Sequence, residues 1–326
     1  MKLFTKIKIK DERELWFLNI LLCRYSKVNK KSLIFFPRPY QNQVFDQMLS
    51  HIDSKHDSVF ILNAGFGEIY LISFFFEDML RKYNLKTPCF ASYRDVSKEL
   101  IGLFYPDIPF YVIKRSDKFS SIKQTNNTYK NKFIHINPCT AFEMINFWED
   151  YLAGKENRHY VEAMTRFAGI QIKSKPSVFI KEQIKKSALI KAEKQNLNID
   201  KFVVLFPQAN FFSALNEDFC KTIKMKLNKA GYDILINNEN FSIQEIFYLT
   251  SFSKGIIGAR CGLCEVFSTL DIQKHIIYTK CKRKIPDILK VFSLKKYPFV
   301  NKDTVFEYEY SEGKQTLIID KILNNF

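Results

Sequence analysis

The residues whose types and spacing best suit chemistry lie in one stretch of the second half, residues 258–265, which reads Gly-Ala-Arg-Cys-Gly-Leu-Cys-Glu. Gly262 lacks a Cβ and so lets a ligand come close to the backbone. A helix starting near Cys264 would present free N–H groups and the positive end of its dipole to an anion. Arg260 carries a planar fork of donors suited to a bidentate contact with a diphosphate, and Leu263 and Cys264 belong to the same anion-holding turn. Glu265 reads in two ways: as an acceptor for ribose or sugar hydroxyls, or as a carboxylate that stabilises the helix start.

Two other loops carry polar or acidic groups. Residues 207–213 follow an apolar strand and offer Gln208, Asn210 and Ser213 for hydrogen bonds to a nucleotide or a sugar. In the first half, residues 63–68 read Asn-Ala-Gly-Phe-Gly-Glu between an apolar run and a helical pattern. That is the strand, glycine turn, helix order of a dinucleotide-binding unit, with Asn63, Gly65 and Gly67 in the loop. Glu68, at the helix start, is either a carboxylate able to take a proton or one that only favours the dipole.

Competing chemistries are less well supported. Cys261 and Cys264 form a CxxC, and His275 and Cys281 follow as further zinc ligands on paper. A regular helix and strand between them would carry His275 and Cys281 away from the turn, so no metal site is assigned and the thiols read as small buried side chains. His51, His56, His135 and His159 belong to no triad, and Gly65-Phe-Gly67 lacks the third glycine and the lysine of a phosphate loop. Hydrolase and ATPase readings therefore lose ground.

These loops need strands and helices to position them. In the first half the pattern predicts strands at 59–62, 88–92, 110–113 and 133–136, and helices at 69–83, 141–153 and 157–168, with helical or turn-rich pieces at 94–104 and 116–131. In the second, a lysine-rich helix over 180–195 precedes strands at 202–206, 232–236, 255–258 and 275–278, alternating with helices at 217–230, 243–251 and 264–270. Ser242 and Glu245 are spaced as a capping box. A short helix closes the chain at 317–323, residues 297–311 look irregular, and residues 11–24 read as an amphipathic helix packed on the first domain or resting on a membrane interface. Alternating strands and helices imply α/β architecture with parallel sheets.

At 326 residues the chain outgrows a single core. Two Rossmann-like domains facing a cleft are expected, residues 1–178 and 179–326, with the last helix allowed to pack back on the first. Hydrophobic residues at 46% rule out an extended disordered chain. The net charge of +16 favours anionic partners: phosphates, nucleic acid or an acidic membrane surface. Clusters such as Lys280, Lys290, Lys295 and Lys296 serve an anionic lipid or polysaccharide as well as a nucleic acid, and more often are solvated surface. Seven cysteines without a leader or a membrane-spanning run point to the cytoplasm.

In residues 202–213, 242–249 and 258–270 the chain resembles the donor half of bacterial cell-surface glycosyltransferases that include the lipopolysaccharide heptosyltransferases. Residues 260–265 are similar to the Arg-Ser-Gly-Leu-Cys-Asp type of turn in some polysaccharide-synthesis transferases, with Cys261 for Ser and Glu265 for Asp. The resemblance implies the GT-B fold, a donor domain in the second half, an acceptor domain in the first and metal-independent transfer without a cofactor. It implies a nucleotide-sugar donor and a capsule or lipopolysaccharide glycan or glycolipid as acceptor, with no nucleic acid, at the inner face of the cytoplasmic membrane. Glu68 takes the place of the family's Gly-Asp carboxylate and so the role of general base. The family's lysine after the first donor loop has no counterpart in residues 211–215. A nucleotide-sugar epimerase of the same shape, a non-catalytic glycan-binding relative and a basic nucleic-acid-binding protein are the alternatives.

Overall fold

The computed structural model describes residues 4–9, 12–17, 20–26, 31–34, 38–114, 122, 124–137, 147, 150–151, 153–236, 240–281, 285 and 287–326. Its first segment corrects the helix expected over 11–24. Strands β1 (Phe4–Ile9), β2 (Glu12–Phe17), β3 (Ile20–Ser26) and β4 (Lys31–Ile34) form an antiparallel meander in chain order. Phe4 lies opposite Phe17 and Ile9 opposite Glu12 in the register of the first pair. Residues 6–10 alternate Lys and Ile with the period of a strand, and the partner strand decides between that period and the helical spacing of Leu15, Leu18 and Leu22. Among the described residues of 11–24 there is strand and no helix.

After helix α1 (Arg38–Leu49), a five-stranded sheet is built from β5 (Ser58–Ile61), β6 (Pro88–Ser92), β7 (Phe110–Val112), β8 (Asn126–Tyr129) and β9 (Lys132–Ile136), in the order β7-β6-β5-β9-β8. Every residue of β5 and β6 is buried, as expected of central parallel strands covered on both faces. The antiparallel β8 takes up residues 126–129 of the helical or turn-rich piece expected at 116–131. Lys130 and Asn131 both take positive φ (48° and 60°), the geometry of a two-residue hairpin turn whose twist suits the strands it joins. Residues 115–121 and 123 of that piece, and most of the helix expected at 141–153, lie outside the described residues.

Helix α2 (Phe66–Tyr83) is buried nearly all round, from Ile69 to Met79. One side packs Phe76 edge-on to Phe60 of β5, with ring centroids 4.8 Å apart. Its other side faces the second half. Helices α3 (Asp95–Ile101) and α4 (Tyr160–Ala168) also belong to this half.

Helix α5 (Glu182–Lys194) leads into the second sheet: β10 (Phe202–Phe206), α6 (Glu217–Lys229), β11 (Asp233–Ile236), α7 (Ile243–Thr250), β12 (Gly255–Ala259), α8 (Gly262–Val266), β13 (Gln273–Tyr278), α9 (Ile288–Phe292), β14 (Val305–Glu309) and α10 (Gln315–Leu323). All five strands are parallel, in the order β11-β10-β12-β13-β14. Strand β14 replaces part of the irregular 297–311 segment. Its alternation of Phe306 and Tyr308 with Glu307 and Glu309 is that of a half-exposed edge strand. The expected capping box is formed by Ser242 and Glu245. Glu245 also accepts from Ser187 at 2.6 Å and Lys191 at 2.7 Å, tying α5 to α7. Helix α10 packs on α6 of its own half, where Ile318, Ile319 and Ile322 join Phe219, Ile223 and Leu227 in one core.

The halves meet directly, α2 against α8 and α3 against α7. Tyr70 and Thr269 hydroxyls bond at 2.7 Å across the junction, and the Ile243 N–H donates to Glu99 at 3.1 Å. Strand order reverses between β5 and β9 in one sheet and between β10 and β12 in the other. Ligands of open α/β sheets bind beyond the strand ends at such reversals. The loops after β5, β10 and β12 are those singled out from the sequence.

Candidate functional site

Asn63, at the end of β5, is buried and accepts hydrogen bonds from the Ser92 hydroxyl at 3.1 Å and the Tyr93 N–H at 3.2 Å. It ties the ends of β5 and β6 together. Arg94 then reaches back and donates to the Ala64 carbonyl at 2.7 Å, placing a cation on the glycine loop. Gly65 is the exposed N-cap of α2. Glu68 in the first turn is half-buried and folds over it: a Cβ on Gly65 would lie 2.5 Å from a Glu68 carboxylate oxygen.

The turn after β12 is organised differently from the expectation. Arg260 is buried, 2% exposed, and its donors point inward. Nη2 donates to Glu265 Oε1 at 2.6 Å, Nη1 to the Cys261 carbonyl at 2.9 Å and Nε to the Phe292 carbonyl at 3.2 Å. Nη2 also reaches the Tyr297 hydroxyl at 3.3 Å, with the guanidinium 5.6 Å from that ring's centroid. In this structure the fork expected to grip a diphosphate grips Glu265 instead. Glu265, read either as an acceptor for ribose or sugar hydroxyls or as a helix-start carboxylate, is Arg260's partner.

Burial pushes the Glu265 carboxyl above the usual carboxylate range. Arg260 opposes the rise and Glu68, facing it from the other half, adds to it. Burial also works against the Arg260 charge, but attraction to Glu265 outweighs it and holds the guanidinium cationic. Glycines make room for this pair at the junction. A Cβ on Gly67 would stand 1.4 Å from Glu265 Oε2, and one on Gly262 would stand 2.8 Å from the Gly67 nitrogen. The close approach expected of Gly262 is therefore to the start of α2. Leu263 and Cys264 are buried behind it.

The loop after β10 keeps Gln208, Asn210 and Ser213 at the surface. Ser213 is anchored, its N–H and hydroxyl donating to the Lys280 carbonyl at 2.9 and 3.2 Å. Thr279 donates back to the Ser213 carbonyl at 2.5 Å. The exposed Lys280 is thereby held beside this loop. Phe211 and Phe212 pack on Phe292, with centroids 5.4 and 5.8 Å apart, so the loop shares its support with Arg260.

The zinc set considered for the CxxC is not assembled. His275 is buried, bonded to the Tyr308 hydroxyl at 3.0 Å and stacked on Phe306, and burial pushes its ring down to about 3. Cys261 and Cys264 lie with sulfurs 3.7 Å apart. Tyr297, Phe292 and Arg94 are the site residues that sequence reasoning missed. Arg94 had a signal, a cation at the end of a buried strand, whereas Tyr297 sat in a segment without periodicity.

No protein-family model matches the chain, and no curated protein matches it in sequence. Solved structures do. A glycosyl transferase family 9 protein from Veillonella parvula superposes with a TM-score of 0.52 at 11% identity, over 83% of this chain and 96% of that one. E. coli ADP-heptose lipopolysaccharide heptosyltransferase II gives 0.47 at 10% identity, over 82% and 98%. E. coli heptosyltransferase WaaC with ADP gives 0.49 at 9% identity, over 82% and 99%. The first of these shows a shared fold, two facing α/β halves of the GT-B type.

Proposed function

We propose that the chain is a glycosyltransferase that moves a sugar from a nucleotide-diphosphate donor to a capsule or lipopolysaccharide glycan. The observation that carries this is the packing of the loops after β5 and β12 against one another, each beside its sheet's strand-order reversal, with a half-exposed carboxylate, Glu68, on the first-half side. The donor belongs to the second half, against Gln208, Asn210 and Ser213, with Lys280 beside them. The acceptor belongs to the first half, the domains being residues 1–178 and 179–326. The fold shared with family 9 supports the reading.

In the reaction, the acceptor hydroxyl oxygen forms the new bond to the anomeric carbon as the bond from that carbon to the diphosphate breaks. Glu68 takes the hydroxyl proton. The negative charge gathering on the leaving diphosphate is met by fixed cations and N–H groups, Arg94 and Lys280 among them, without a metal. Arg260 acts through Glu265, bracing the turn. We place the protein in the cytoplasm with its acceptor at the inner membrane face. Among the described residues no helix is long and apolar enough to cross a membrane.

The Glu68→Gln variant tests the assignment. It should keep donor affinity and lose transfer by about a hundredfold or more, the lower range for a general base. Near-normal turnover would return Glu68 to the role of helix-start carboxylate. Donor binding without transfer by the unaltered protein would favour an epimerase or a glycan-binding relative.

A further inference from the structure

We propose that Cys261 and Cys264 form a reversible dithiol–disulfide site, in which the partly exposed Cys261 is oxidised first by a small-molecule disulfide and the buried Cys264 resolves it. The two sulfurs are 3.7 Å apart, already in contact, against a disulfide length of about 2.05 Å. Cys261 is partly exposed, whereas Cys264 is fully buried, its sulfur 3.4 Å from the Ala259 carbonyl oxygen. A small oxidant therefore meets Cys261 first.

The electrostatics sort the pair in the same sense. The Cys264 thiol hydrogen bond lowers the Cys261 thiol, and the N–H groups of Cys264 and Leu263 and the charge of Arg260 act in the same direction against burial. The hydrogen bond with Cys261 and burial raise Cys264. The thiolate is the attacking form, so the less buried member is also the one more readily ionised. Cys89 and Cys220 lack this setting. Burial raises both, Cys89 to about 12.

With oxidised glutathione as oxidant, the Cys261 thiolate attacks one sulfur of the glutathione disulfide. A Cys261–glutathione mixed disulfide forms and one glutathione thiolate leaves. Cys264 then loses its proton and attacks the Cys261 sulfur, forming the Cys261–Cys264 bond and expelling the second glutathione. Two protein thiols are oxidised and one glutathione disulfide is reduced to two thiols. The bond would bracket Gly262, whose α-carbon packs on Gly67, so oxidation would stiffen the turn at the junction of the halves. The inference does not depend on the proposed glycosyl transfer.

The test uses the full chain, equilibrated with glutathione buffers of rising oxidised fraction, quenched in acid, alkylated and digested for mass spectrometry. The peptide carrying both residues should lose both alkylation sites and two hydrogens before Cys220 is modified, and reduction should restore them. Cys264→Ser should stop at one glutathione on Cys261, and Cys261→Ser should leave Cys264 unmodified. The unaltered protein needs no variant to decide the matter. Both sites remaining alkylatable at oxidant levels that modify Cys220 would overturn the proposal, as would glutathione on Cys264 in the Cys261→Ser variant.

Discussion

Arg260 and Glu265 meet at 2.6 Å with both side chains buried, so each depends on the other for its charge. Removing one member of such a pair costs about 3–5 kcal/mol, because a charge is left buried without its counterpart. Arg260→Ala should therefore lower unfolding stability by about that much at neutral pH, measured by denaturant titration. The sign with pH follows from Glu265. Its carboxyl is raised in the folded state even with Arg260 present, and losing Arg260 removes the main influence that lowers it. A raised carboxyl contributes stability at pH below its unfolded value and loses it as pH rises through the folded value. The penalty should thus shrink as pH falls toward the ordinary carboxylate range and grow above it. A penalty independent of pH between 5 and 8 would contradict the pairing. The Arg260, Gly262 and Glu265 turn was legible in the sequence as a special place, but its direction was not. Three of Arg260's contacts come from Phe292, Tyr297 and Glu265, two of them more than thirty residues away, and only the folded chain brings them together.

At the scale of elements, the junction is two helix starts packed glycine to glycine, α2 at Gly67 and α8 at Gly262. Any side chain at Gly67 collides with the Glu265 carboxylate. Gly67→Ala should displace that carboxylate from Arg260 or push the helices apart. The expected cost is about 1–3 kcal/mol of overpacking, read as a lower midpoint in thermal or denaturant unfolding. Gly65→Ala is the comparison: there the nearby atom is the outer end of the Glu68 side chain, which can swing away, so the loss should be much smaller. Equal losses at the two positions would contradict the packing described. Elements buried on both faces, such as Phe202–Phe206 and Pro88–Ser92, were read to within a residue because their apolar runs admit little else. Those stabilised by pairing were missed. Strands β1–β4 and β14 owe their form to neighbouring strands, which the spacing inside one segment does not contain.

In the molecule as a whole, the two five-stranded sheets, one wholly parallel and the other parallel except for its edge strand β8, are brought together end-loop to end-loop, with one buried apolar cluster running from Phe60 of β5 to Val305 of β14. The GT-B outline was legible because strand, glycine turn and helix recur in both halves. Which of the singled-out side chains stay at the surface was less legible, because Asn63, Arg260 and Glu265 are turned into the protein while Gln208, Asn210 and Ser213 remain exposed. The excess of cations suits a doubly charged donor more readily than it identifies one. Calorimetric titration of the full chain with ADP-, GDP-, UDP- and CMP-linked sugars therefore tests the central claim most directly. Saturable binding of one of these, weakened when Gln208 and Asn210 are both replaced by Ala, is the expected result; no binding to any of them would contradict it.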